Sequence, residues 1–60
     1  MQRYEVKVRD WKITFAQDAS DTHPVLTGCY KAGENVAPSL TPADVKNRAW
    51  ARVEKLASYA

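Results

Sequence analysis

Cysteine is nearly missing from this chain. Cys29 is the only one among 60 residues, so no disulfide can close within it. A structural zinc site, which takes four nitrogen or sulfur ligands, finds only Cys29 and the single histidine, His23. Glycine is scarce as well: Gly28 and Gly33 cannot build a glycine-rich phosphate loop. No apolar run approaches the roughly 20 residues of a membrane-spanning helix, and no basic-then-apolar leader follows Met1. A lone cysteine suits a reducing compartment, so the expectation is a cytoplasmic protein without membrane, metal or cofactor. The charge is also slight, +2 from nine Lys and Arg against seven Asp and Glu, too mild to imply nucleic acid by sum alone.

Size sets the next bound. A chain this short makes one domain, 1–60, and buries only about 60% of the surface its unfolded form exposes. Small domains recover stability through disulfides, metals or association. With the first two removed, association stays open, a homodimer included.

The first half reads as strands. Tyr4, Val6 and Val8 alternate with Arg3, Glu5, Lys7 and Arg9, and Trp11, Ile13 and Phe15 alternate with Lys12 and Thr14. The apolar parity switches at Arg9-Asp10. A two-residue hairpin loop there sets Val8 opposite Trp11, Val6 opposite Ile13 and Tyr4 opposite Phe15 on one face. It also sets Lys7 against Lys12, and Arg-Asp is a poor pair for a primed turn. A four-residue loop, or one long strand bulged near Asp10, keeps the same parity.

Residues 17–24 form a polar loop. Val25 to Tyr30 is strand-like, interrupted by Gly28, which suggests a bulge or a close backbone approach. Lys31-Ala32-Gly33 suits a three-residue hairpin loop, with Leu26, Tyr30 and Val36 then sharing a face. Pro38 stops the returning strand. The expected strands are about 3–9, 11–16, 25–30 and 34–37.

A helix over about 42–58 follows. Thr41 is placed to be its N-cap, Pro42 its first residue and Asp44 the capping-box acid, with Leu40 and Val45 as a hydrophobic staple. Val45, Ala49, Val53, Leu56 and Ala60 make its apolar stripe. The fold class is therefore α+β: a small antiparallel sheet of two hairpins, three to four strands, packed against one C-terminal helix. The order of the strands is left open.

Few residues carry chemistry. Cys29, His23 and Asp18 or Asp21 are the residue types of a thiol hydrolase, but 60 residues leave little material for an oxyanion site and a cleft. The simpler reading is a cysteine packed as a small hydrophobe and a solvated histidine, so no enzyme is expected. Arg48, Arg52, Lys55 and Tyr59 recur at helical spacing. Arg3, Lys7 and Lys12 point away from the apolar face of the sheet. Such basic residues suit phosphate contact, although a solvated face explains them as well. Six aromatic residues exceed what so small a core can hide. Trp50 lies about 100° around the helix from the centre of the apolar stripe. It covers either the rim of the sheet or a partner, as Trp and Tyr often do.

The expected function is a non-enzymatic, protein-binding regulator or inhibitor that occludes a partner's surface through Trp50, Tyr59 and Trp11, a sheet edge or the helix. The alternative is a nucleic-acid binder using Arg48, Arg52 and Lys55, with Arg3, Lys7 and Lys12 as a second patch.

Overall fold

The computed structural model describes residues 1–58. It contains β1 (Gln2–Val8), β2 (Trp11–Gln17), β3 (Val25–Lys31), β4 (Glu34–Val36), a 3-10 turn (Pro38–Leu40) and α1 (Ala43–Ser58). The four strands form one antiparallel sheet in the order β1-β2-β3-β4, and α1 packs chiefly on β1 and β2. This is the α+β plan that the sequence implies, with strand and helix bounds shifted by a residue at several ends. None of the helices among the described residues is long and apolar enough to cross a membrane.

The first hairpin has the register that the parity switch predicts: Val8 opposite Trp11, Val6 opposite Ile13 and Tyr4 opposite Phe15. The loop is Arg9-Asp10, with Arg9 at φ 57°. A left-handed φ is costly for a residue with a Cβ, by about 1–2 kcal/mol. The Arg9 guanidinium lies 3.3 Å from the Asp44 carboxylate, a solvent-exposed pair that offsets little of that cost. The pair also locates the helix, whose first turn stands over the β1–β2 turn. Lys7 does sit opposite Lys12, as the two-residue loop requires. The Lys12 ammonium is drawn aside over the Tyr30 ring, 5.3 Å from its centroid.

The second hairpin departs from expectation. Its loop is the two residues Ala32-Gly33, because Lys31 pairs with Glu34. Both loop residues have positive φ, 53° and 81°, the requirement of a type I′ turn. Upstream, Thr14 pairs with Gly28 and Phe15 with Leu26, so Thr27 is an extra residue in a β-bulge. The bulge resets the parity of β3. Leu26 and Cys29 both face the helix, while Tyr30 joins the opposite face and does not share one with Leu26 and Val36. Gly28 allows a close approach there, since a Cβ would stand 2.9 Å from the Tyr30 ring and 3.1 Å from Thr14 Oγ1 and both side chains would have to shift.

The core lies between the sheet and α1. Val6, Val8, Trp11, Ile13, Phe15 and Cys29 meet Val45, Ala49 and Val53. Leu56 was expected in this stripe but is 46% exposed, because it lies past the side of α1 that the sheet covers. Ala60 falls outside the described residues.

The helix start also differs from the capping box. α1 begins at Ala43, and the Pro42 carbonyl accepts the first helical bond from the Lys46 N–H at 3.2 Å. The Thr41 hydroxyl, buried, donates instead to the Ala37 carbonyl at 3.1 Å, which ties the 3-10 turn to the helix. Asp44 is turned toward Arg9. Leu40 is 76% exposed, so it makes no staple over Val45.

Candidate protein-binding edge and groove

A four-stranded sheet in sequential order has two edges, and they are unequal. β4 is three residues long and is followed by Pro38. β1 is seven residues long, and among the described residues no strand pairs with its outer side. The two-residue loop makes Val8 and Trp11 a mutually hydrogen-bonded pair. Alternation along the ladder then turns the peptide groups of Tyr4 and Val6 toward β2, and those of Arg3, Glu5 and Lys7 outward. One contact agrees with this. The Arg52 guanidinium donates to the Lys7 carbonyl, reaching from the helix over the edge of the sheet.

Helical geometry fixes what flanks this edge. Arg48, Arg52 and Lys55 follow i, i+4, i+7 spacing, and all three are exposed. Because Arg52 reaches β1, this is the flank of α1 that overlooks the edge. Between helix and strand runs an open groove lined by Glu5, Val6, Lys7, Arg52, Lys55 and Leu56. Val6 and the exposed part of Leu56 give it an apolar floor, and Lys7, Arg52 and Lys55 give it a basic rim. The two basic sets that the sequence places on separate elements therefore meet at β1. Glu5 is the one carboxylate lining that groove. Glu54 lies elsewhere, beside His23, Pro24 and Ala57.

The remaining predicted residues are placed as follows. Lys12 is half-buried on the open face of the sheet, opposite Lys7, whereas Arg3 lies four residues along β1 opposite Ala16. Trp11 is not the exposed aromatic that was expected. It is 8% exposed within the core, with the Lys31 ammonium 5.5 Å from its ring centroid, and presents almost nothing to a partner. Trp50 is half-buried and packs edge-on against Phe15, ring centroids 4.8 Å apart at 66°. Two residues from Arg52 is about 200° of helix, so Trp50 stands on the flank away from β1. Tyr59 lies outside the described residues.

Sequence reasoning did not single out Leu56 or Glu5 as site residues. Leu56 carried a signal nonetheless, since it belongs to the apolar stripe yet lies to one side of its centre, toward Arg52.

Cys29 is fully buried in the core, whereas His23 is exposed in the loop. Asp18 and Asp21 hold that loop together. The Asp18 N–H donates to the Asp21 carboxylate at 3.0 Å, and the Asp21 N–H donates to the Asp18 carbonyl at 3.0 Å. No protein-family model, curated protein or solved structure matches the chain.

Proposed function

We propose that the chain is a non-enzymatic protein-binding regulator or inhibitor that acts by occluding a surface of its partner. The observation that carries this reading is the β1 edge. Among the described residues no strand pairs with the outer side of seven-residue β1, which runs beside a groove with an apolar floor, while the other edge is three residues long and followed by proline. An open edge offers backbone hydrogen bonds that any extended chain can complete, and natural sheets shorten or block edges that have no use for them. Half-exposed Leu56 adds an apolar contact that a merely solvated flank does not need. Trp50 contributes by holding the helix on the sheet through Phe15. A cytoplasmic setting belongs to the same proposal and rests on the single cysteine.

The test is a pull-down with tagged protein from a native lysate, split into nuclease-treated and untreated halves. One stoichiometric protein retained after nuclease is the expected result. Capture of nucleic acid, with every protein lost after digestion, contradicts it.

A second reading has a specific observation in its favour. Arg48, Arg52 and Lys55 meet Lys7 around one edge, with Arg3 and Lys12 on the adjoining open face. That arrangement suits a phosphate backbone. Binding to duplex DNA then falls with log slope of about 0.9 per phosphate contact as salt rises. Arg48→Ala with Arg52→Ala removes it. We place protein first because Leu56 is apolar and an open strand edge is completed by a peptide backbone, and neither favours phosphate.

A further inference from the structure

The β1 edge also carries information about what binds it. We infer that it receives an extended, acidic segment of a partner protein as a fifth strand of the sheet. This rests on the protein-binding reading above and names the chemistry of the partner.

Charge complementarity selects the acid. An added strand lies along the peptide groups of Arg3, Glu5 and Lys7, and its side chains alternate between the two faces of the sheet. Those on the open face meet Arg3, Glu5 and Lys7, with Lys12 behind Lys7 on β2, a net positive strip. Those on the helix face enter the groove, where Leu56 takes an apolar side chain and Arg52 and Lys55 take carboxylates. Glu5 is the single opposing charge lining that groove. The bond from Arg52 to the Lys7 carbonyl holds the edge while it is empty, and a carboxylate of the incoming strand gives the guanidinium a charged acceptor in its place.

The same charges argue against a second copy of this chain as the occupant. Antiparallel pairing of two β1 strands centred on Glu5 sets Glu5 against Glu5 and Arg3 against Lys7. Moving the centre to Tyr4 or Val6 relieves the strands and leaves the helices. Each register brings two flanks of Arg48, Arg52 and Lys55 to face one another, because α1 lies over β1 in both copies. Like charges so placed repel.

The experiment titrates the isotope-labelled protein with a capped peptide of glutamates around one central valine, which offers carboxylates to both faces, and with a control in which lysines replace the glutamates. Two variants accompany it. Glu5→Pro deletes an N–H that points away from β2, so the ladder is kept, and it also removes a negative charge. Arg52→Glu with Lys55→Glu reverses exposed charges without touching the core. The expected result is binding of the acidic peptide alone, with amide shifts at Arg3, Glu5 and Lys7 and methyl shifts at Leu56. Each variant weakens it by about tenfold or more. Glu5→Pro does so although it makes the protein more basic, which separates strand addition from simple attraction of opposite charges. Failure of the acidic peptide to bind, or equal binding by Glu5→Pro, overturns the inference. So does a β1-paired homodimer in sedimentation. The pull-down keeps the two claims apart. A protein captured equally by the Glu5→Pro variant leaves the regulator reading standing and removes the edge from it, whereas no captured protein removes both.

Discussion

The two edges of this sheet solve one problem in different ways. β4 ends after three residues, turns at Pro38 and gives a visiting strand almost nothing to pair with. β1 runs for seven residues and is guarded only by charge and by one arginine laid across it from the helix. Between them, β2 and β3 carry the ladders that hold the sheet together, and α1 covers the β1–β2 half. The difference teaches where tolerance lies. Order comes from the middle of the sheet and from the helix, so the outer side of β1 contributes little to it.

The sharpest way to break that comparison is to place proline at successive positions of β1. Val6→Pro removes a bond to β2 and a buried side chain, and costs about 3 kcal/mol or more. Glu5→Pro removes an outward N–H and stays within about 1 kcal/mol of the parent. Urea denaturation followed by tryptophan fluorescence measures both. Equal losses would mean that the edge is not open. Next in size is Trp50→Ala. It strips an edge-on aromatic contact from Phe15 and lowers stability by about 2–3 kcal/mol, while the folded fraction keeps its affinity for a β1 ligand. Lost affinity at unchanged stability moves the binding surface to the other flank of the helix. Smaller still is Ala32→Asn at the turn before β4. Asparagine tolerates the left-handed φ of 53° better than alanine, and the Asn-Gly pair raises stability by about 0.5–1 kcal/mol without affecting binding at β1. The smallest stability change belongs to Arg52→Ala, within about 0.5 kcal/mol. Its effect is expected in partner affinity instead.

Much of this fold was legible in the sequence for a physical reason. Period-two alternation with a parity switch at Arg9-Asp10 admits few registers, and the two-residue one is observed. The alanine-rich stretch after Pro42 had no competing structure, and α1 occupies it. What failed was local chemistry that depends on distant neighbours. Gly28 signalled an irregularity, but the parity of β3 depends on Thr27 being the extra residue, and that follows from its fit against Thr14 and Phe15 of β2. Thr41 had the right side chain for an N-cap, yet the Ala37 carbonyl of the preceding 3-10 turn claimed it. Leu56 matched the apolar stripe, but it lies at the side of α1 over the β1 edge, where the sheet does not cover it.

The candidate site was legible in parts only. Arg52 and Lys55 on the helix, and Lys7 on the first strand, could each be picked out. Their meeting could not, because Arg52 touches a residue 45 positions away and only the packing of α1 on β1 brings them together. Among the aromatic residues only Trp11 departs from expectation, drawn into the core because a small sheet uses its largest side chains to bury what it can.

The central claim is that the β1 edge is open in the free protein and closed by its partner. Hydrogen exchange at single amides tests it most directly. Tyr4 and Val6 are expected to exchange slowly in the free protein while Arg3 and Glu5 exchange fast, and Arg3 and Glu5 to become protected once the partner is captured. Protection of Arg3 and Glu5 in the free protein, or fast exchange there in the complex, would contradict it.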